Sequence, residues 1–132
     1  MLPTLKPGDQ ITVDTMAYTS NVVKRFDLVA IQFSTRSRPM VKRVIAIPGD
    51  NVTIENNRMT IAWKTTDCPD CRVIKPISQK AGKTLFLQLK RYNHLIPKGS
   101  LVVLGDNHEN TFDSMDYGLI STGQVLGKVM IN

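Results

Sequence analysis

A chain of 132 residues is long enough to bury one hydrophobic core and too short to build two, so we expect a single domain over residues 1–132. Hydrophobic residues make up 42% of it and charged residues 21%, a balance that argues against a disordered chain. No stretch approaches the ~20 apolar residues that a membrane-spanning helix needs. The net charge of +6 is compatible with an anionic partner, nucleic acid or lipid, and identifies neither.

Alternating and β-branched apolar residues recur along almost the whole chain. Turn-forming Gly, Pro, Asn and Asp separate these runs, and Asn56-Asn57 fits a tight hairpin because asparagine tolerates the positive φ that such turns require. The predicted strands lie at residues 10–14, 26–33, 40–47, 51–55, 58–63, 84–89, 100–104 and 125–131.

These strands predict a mostly β domain, an antiparallel sheet that folds over on itself or forms a partial barrel. No amphipathic helix stands out, and the best position for a short one lies within residues 107–118. A basic excursion interrupts the strands over about residues 64–98. Between Cys68 and Lys98 it contains a single acid, Asp70, and the basic residues Arg72, Lys75, Lys80, Lys83, Lys90, Arg91 and Lys98.

The basic excursion is either a solvated face without a partner or a surface that contacts lipid or another protein. Proteins that bind single-stranded nucleic acid stack bases on aromatic rings, and this segment offers only Phe86 and Tyr92. We therefore expect no nucleic-acid partner.

Both cysteines lie in "DCPDC", at Cys68 and Cys71. Such a pair can be half of a zinc site, a redox pair or a local disulfide. The two histidines lack the spacing of further zinc ligands, and Pro69 with its polar flanks indicates a loop where a redox pair would open a helix. We favour a disulfide formed in an oxidising compartment, and we expect no metal.

The sequence "PMVKRVIAIPGD" places a lysine, Lys42, inside a run that otherwise resembles the interior of a sheet. Strand alternation gives Lys42 two apolar neighbours on its own face, Met40 and Val44, and turns Arg43 to the opposite face. Lys42 either reaches water from an edge strand, or it is desolvated so that its pKa falls and the amine can act as a base.

Residues 105–118, "GDNHENTFDSMDYG", follow the predicted strand at 100–104 and are rich in hydroxyl, amide and carboxylate groups. They form either a polar turn whose side chains bond their own backbone, or a loop that orients the amine of Lys42 and supplies an acid to Arg43.

Four segments, in chain order, resemble the motifs of type I signal peptidases. The opening "MLPTLKPGDQITV" resembles Ser-Met-x-Pro-Thr-Leu followed by Gly-Asp, and "RFDLVAIQF" resembles Arg-Gly-Asp before an apolar strand, with Phe26 in place of the usual glycine. "VKRVIAIPGD" resembles the lysine box, with Lys42 as the general base. "GDNHENTFDSMDYG" resembles the last box, Gly-Asp-Asn-x-x-Asn-Ser-x-Asp-Ser-Arg-x-x-Gly.

The resemblance implies the signal-peptidase catalytic core with a short basic insertion, similar to the compact relatives that process pilins for conjugative transfer. The implied function is a membrane-associated serine endopeptidase that cleaves signal peptides or pilin precursors after small residues and needs no cofactor. Its partners would be the precursor protein and the membrane surface. It would work at the extracytoplasmic, periplasmic face of the cytoplasmic membrane, anchored by a segment upstream of this chain.

In this family a serine attacks the peptide bond after a lysine has taken its proton. The resemblance places that serine immediately before Met1, so we expect residues 1–132 alone to be inactive. The substrate would pair like an added strand with the segment before Lys42. The shallow pockets that accept the substrate's side chains would be lined by Met1, Leu5, Met40 and Val41. The residues that orient or support Lys42 would be Thr111, Asp106, Asp113, Ser114 and Arg43.

Three positions of the last box depart from the family pattern and suggest a divergent branch. Thr111 replaces a serine that bonds the lysine and keeps its hydroxyl. Met115 replaces an arginine, so that an acid–arginine pair is lost or remade, and His108 replaces another arginine.

Three other functions fit the sequence less well. One is a catalytically silent relative that binds substrate or pilin subunits as an assembly chaperone. Another is a self-cleaving repressor, which shares the Ser/Lys dyad but works in the cytosol. The last is a basic module that binds nucleic acid.

Overall fold

The structure, a computed structural model, describes residues 10–19, 21–34, 37–77, 83–106 and 114–131. In these ranges the chain forms mainly antiparallel strands, as the sequence predicts. The strands are β1 Ile11–Asp14, β2 Leu28–Ile31, β3 Met40–Ala46, β4 Asn51–Glu55, β5 Arg58–Trp63, β6 Cys71–Pro76, β7 Ser100–Leu104, β8 Ile120–Ser121 and β9 Val125–Ile131. The helices are α1 Lys83–Arg91 and α2 Ser114–Tyr117, and a single 3-10 turn spans Thr122–Gln124.

The strands form two sheets. The larger one has the order β1-β9-β2-β3-β7-β8, so that β3 is an inner strand between β2 and β7. The smaller one has the order β4-β5-β6. Its first two strands join through Asn56 and Asn57, whose φ angles of 50° and 62° confirm the predicted hairpin turn.

Alternation along β3 divides the larger sheet into two apolar faces. Ile45 packs with residues of the smaller sheet and of helix α1, so this face lies in the core that joins the two sheets. Val44 packs on the opposite face with Val29, Val103 and Phe33. The strand that carries Lys42 is thus covered on both sides.

The strand predicted at residues 84–89 is wrong, because this segment lies in helix α1. Leu85, Leu87 and Leu89 alternate as in a strand, but Leu85 and Leu89 also stand four residues apart and share one helix face. Both are buried, whereas Leu87 is 66% exposed. The basic excursion also contains β6, which the sequence analysis missed. Of the short helix expected within residues 107–118, the structure shows α2, and residues 107–113 lie outside the described ranges.

An ion pair connects the two sheets. Arg25 precedes β2, and its guanidinium donates two hydrogen bonds of 2.7 Å to Asp50, which precedes β4. The Asp50 carboxylate is buried and also accepts a hydrogen bond of 3.0 Å from the Ile47 amide. The Arg25 guanidinium lies 4.2 Å from the ring centroid of Trp63 in β5. The charge of Asp50 is therefore held inside the protein by the Arg25 guanidinium and the Ile47 amide.

Replacing Arg25 with glutamine is expected to lower the free energy of unfolding by about 3 kcal/mol, because Asp50 keeps its charge in the core without a counter-charge. The matched control is Arg72→Gln, which breaks an ion pair with Asp70 at the surface and should cost less than about 1 kcal/mol. Urea unfolding of the two variants tests this, and similar losses would contradict a special role for Arg25.

The two cysteines lie at the turn from β5 into β6. Their Cα atoms are 5.6 Å apart and their sulfur atoms are at bonding distance. Thr65 closes the same turn, because its carbonyl and hydroxyl oxygens both accept hydrogen bonds from the Cys68 amide. The structure thus fits the predicted local disulfide, and the covalent bond itself stays a prediction.

Replacing both cysteines with serine is expected to cost about 2 kcal/mol and to leave the fold intact, because so short a loop restrains little of the unfolded chain. Thermal unfolding with and without reductant measures the cost. Mass spectrometry that finds two free thiols in protein from an oxidising compartment would contradict the disulfide.

Candidate functional site

Lys42 lies in the middle of the larger sheet. It faces Val29 across the β2–β3 pair, and its residue is only 4% exposed. Met40 and Val44 flank it on the same face and pack in the apolar cluster that contains Val29. The proposal that Lys42 reaches water from an edge strand is therefore wrong, because its strand is internal and its side chain is buried.

Arg43 points to the opposite face and binds an acid there. Its guanidinium donates hydrogen bonds of 3.1 Å to each carboxylate oxygen of Asp106. A third hydrogen bond, of 2.9 Å, goes to the backbone carbonyl of Phe26. Two consecutive basic residues of β3 thus lie on opposite faces of the sheet, Lys42 buried beside Val29 and Arg43 in an ion pair with Asp106.

The last box, residues 105–118, contacts the larger sheet at Asp106 and at Ser114, the described residues on either side of its undescribed part. β7 ends at Leu104, opposite Arg43, so the chain that continues to Asp106 starts beside Lys42. Ser114 is fully buried at the start of α2, and its hydroxyl accepts a hydrogen bond of 2.9 Å from the Val103 amide of β7.

The predicted substrate residues Met40 and Val41 do not share a face. Met40 packs with the apolar cluster on the side of Lys42, whereas Val41 packs on the other side with Ala30 and Val129. The remaining predicted site residues lie outside the described ranges; they are Met1, Leu5, Thr111 and Asp113. Met115, at the family's arginine position, packs as a buried residue in the core between the sheets.

Phe26 is a residue that the motif comparison singled out without explaining it. Its φ of 71° lies in the left-handed region, which is open to glycine and costly for phenylalanine. This conformation lets its amide donate to Val44 while its carbonyl accepts from Arg43. The Phe26 ring meets Trp63 edge-on, with centroids 6.3 Å apart. Phe26 therefore joins β3 to the smaller sheet.

A cavity of about 610 Å³ lies on the Lys42 side of the sheet but at its other end. Its lining includes Ile47, which is five residues and so roughly 16 Å along the chain from Lys42. Tyr18 also lines it and donates a hydrogen bond of 2.7 Å to Asp27. Burial, and then this bond, raise the pKa of the Tyr18 phenol. No sequence pattern predicted this cavity.

Metal binding has no visible donor set in the part of the chain that the structure describes. Within those residues, no three His, Cys, Asp or Glu side chains converge as ligands. The ion pairs of the described residues each join one cation to one carboxylate, as Arg25 does with Asp50 and Arg43 with Asp106.

Phe26→Ala is expected to be less stable than Phe26→Gly by at least about 1 kcal/mol, because both lose the ring contact and only glycine relieves the backbone strain. The control is Phe86 in helix α1, where the order should be reversed, since glycine is less favourable than alanine by about 1 kcal/mol in a helix. Urea unfolding of the four variants provides the comparison. The same order at both positions would show that backbone strain at Phe26 is unimportant.

Comparisons with known proteins give a consistent result. The family model described as "Signal peptidase, peptidase S26" matches residues 1–132. The signal peptidase I of Bacillus caldolyticus is 30% identical over 131 residues, which cover 98% of this chain and 71% of that protein. The signal peptidase IB of Staphylococcus aureus is 33% identical over 135 residues, with coverage of 98% and 70%.

The solved structure of a signal peptidase I from Enterococcus faecalis V583 has a similar fold. The TM-score is 0.53 at 19% sequence identity, with 80% of this chain and 95% of that chain covered. At this identity the likeness shows the fold alone, whereas the family model and the sequence relatives extend over nearly the whole chain. The chain therefore belongs to the signal peptidase family, peptidase S26.

Proposed function

We propose that the protein is a membrane-associated serine endopeptidase with a Ser/Lys dyad that cleaves signal peptides or pilin precursors after small residues. The observation that carries this proposal is the burial of Lys42 on an inner strand, beside Val29 and Val44. Family membership supports the peptidase class. The burial supports the choice of the base.

Burial at this position favours the form of lysine that catalysis requires. An ammonium loses its hydration when it is placed among apolar side chains, whereas a neutral amine loses much less. Only the neutral amine can take a proton from a serine hydroxyl. Lys42 therefore acts as the general base in the proposed reaction.

In the proposed site, the last box supplies the groups that orient the amine of Lys42. The pair Arg43–Asp106 fixes the start of the box against β3, and the bond from Val103 to Ser114 fixes its end. Between these two anchors, Thr111 and Asp113 would reach the amine of Lys42. Because the Ser114 hydroxyl is buried and bonded to the backbone, we assign Ser114 a supporting role.

The proposed nucleophile is a serine immediately before Met1. Its backbone amide would contribute to the oxyanion hole, which stabilises the negative charge of the tetrahedral intermediate. The substrate would bind as an extended strand beside the segment that precedes Lys42. Met1, Leu5, Met40 and Val41 are proposed to line its path, with Met40 and Val41 on opposite faces of β3.

The proposed place of action is the extracytoplasmic side of the cytoplasmic membrane. Of the helices in the described ranges, none combines the length and the hydrophobicity needed to cross a bilayer. An anchor upstream of Met1 would hold the enzyme in the plane of its membrane-bound substrates, which would raise the effective concentration of the cleavage site.

Lys42→Arg is expected to lower cleavage at least about 1000-fold in a form of the protein that carries a serine directly before Met1. Arginine keeps the positive charge and cannot give up its proton, so it cannot act as the base. The peptidase activity of the serine-carrying form with Lys42 unchanged should rise with pH as the Lys42 amine loses its proton. Cleavage of a peptide with small residues at the scissile bond measures both effects.

Two matched forms make this test specific. Lys64→Arg changes a lysine exposed to solvent and should leave cleavage unchanged. A form with alanine directly before Met1 should be inactive and should still bind the peptide. Full cleavage by the Lys42→Arg or the alanine form would overturn the dyad. Peptide binding without cleavage by the serine form would favour the silent chaperone-like relative instead.

A further inference from the structure

The positive charge of the protein is concentrated in one segment. From residue 71 to residue 105 the sequence contains seven basic residues and no acidic one. The other residues together carry one more acidic than basic side chain, so this segment accounts for all of the net charge of +6. Helix α1 lies at its centre.

The solvent-exposed face of helix α1 has an unusual composition. Leu85 and Leu89 face the core, which directs Leu87 straight away from it. A solvated helix normally carries a polar side chain at such a position. Here Leu87 is 66% exposed, and the exposed Lys83, Lys90 and Arg91 surround it.

Further exposed apolar groups extend this face. Phe86 is partly exposed on the helix, and the ammonium of Lys90 lies 5.1 Å from its ring centroid. Tyr92 and Leu95 follow the helix and are also exposed. The outer surface of α1 thus combines aliphatic, aromatic and basic side chains, and we call the residues Lys83, Phe86, Leu87, Lys90, Arg91 and Tyr92 the α1 face.

The cations of the α1 face are not neutralised by the residues that the structure describes. Arg25, Arg43, Arg72 and Lys128 each pair with a carboxylate within those ranges, whereas no described carboxylate pairs with a cation of the α1 face. Their charge is therefore available to an external anion.

The helix is held firmly in this orientation. Its inner residues Leu85 and Leu89 belong to the core that joins the two sheets. On the flank of the helix, the Gln88 side chain accepts a hydrogen bond of 2.7 Å from the Leu119 amide. Gly118 lies so close to Gln88 that any added side chain would collide with it. Rotation that buries Leu87 would break these contacts.

We propose that the α1 face docks on the surface of an anionic lipid bilayer. Leu87 and Phe86 would enter the boundary between head groups and acyl chains, while the cations around them bind lipid phosphates. A polyanion such as nucleic acid would use the same cations but would gain nothing from Leu87. The apolar residue at the centre of the basic face is the feature that selects lipid.

This inference rests on the proposed function only for the presence of a membrane near the enzyme. Vesicle binding is measured without a peptidase substrate and without a serine before Met1. A failure of vesicle docking and a failure of the Ser/Lys dyad are therefore separate results.

The experiment is sedimentation of the chain with two kinds of vesicle, phosphatidylcholine alone and phosphatidylcholine mixed with phosphatidylglycerol. The chain should bind the mixed vesicles and release them at high salt. Lys90→Gln with Arg91→Gln should weaken this binding roughly 25-fold, about fivefold for each cation. Leu87→Gln should weaken binding at unchanged net charge.

Matched controls separate the α1 face from the overall charge and hydrophobicity. Lys24→Gln with Lys64→Gln removes two exposed cations elsewhere and should change vesicle binding little. Val22→Gln removes an apolar side chain that is even more exposed than Leu87, at 78%, and should also have little effect. Circular dichroism confirms that each variant is folded.

A fluorescent variant tests the position of the helix directly. Leu87→Trp adds a second tryptophan to the native Trp63, whose ring lies 4.2 Å from the Arg25 guanidinium. Mixed vesicles should shift the tryptophan emission of the Leu87→Trp variant to shorter wavelength, and vesicles of phosphatidylcholine alone should not. Equal binding to both vesicle types, or equal losses in the α1 and control variants, would overturn the proposal. So would binding to single-stranded DNA without binding to mixed vesicles.

Discussion

Strand β3 carries two basic residues at consecutive positions, Lys42 and Arg43, and the arrangement of the site follows from the need to accommodate both. Consecutive residues of a strand face opposite sides of the sheet, so Lys42 and Arg43 cannot share one environment. On one side, Lys42 is buried beside Val29 and Val44. On the other, Asp106 compensates the arginine. The sheet therefore stabilises the charge of Arg43 and buries Lys42, which is the distinction that the proposed lysine base requires.

The smaller sheet contributes to the same site through Phe26. Its carbonyl binds Arg43, and its ring contacts Trp63, on which the Arg25 guanidinium is stacked. Arg25 in turn holds the buried Asp50. A continuous set of contacts thus extends from the ion pair between the sheets to the residue beside Lys42. The left-handed conformation of Phe26 is retained because hydrogen bonds and ring contacts on both sides of it compensate for its strain.

The sequence predicts those features that repeat along the chain, and it misses those that depend on contacts between distant residues. Period-two alternation located β4, β5, β7 and β9, and it placed Lys42 and Arg43 on opposite faces. It failed at residues 84–89, because leucines at every second position satisfy both a strand face and, four residues apart, a helix face. No local pattern links Arg25 to Asp50 or Phe26 to Trp63, since each pair joins two sheets whose packing the sequence does not display.

The basic helix and the proposed catalytic strand share one core. Leu85 and Leu89 of α1 pack in the cluster that contains Ile45, three residues from Lys42 on β3. Because protein cores are close-packed and transmit strain, we expect α1 and β3 to keep a constant position relative to each other. A bilayer that binds the α1 face would therefore set the orientation of β3 as well as its distance from the membrane. For the proposed peptidase, docking through α1 would hold the segment before Lys42 in a constant orientation to the bilayer, and the same contact would reduce the orientational freedom that cleavage must otherwise overcome.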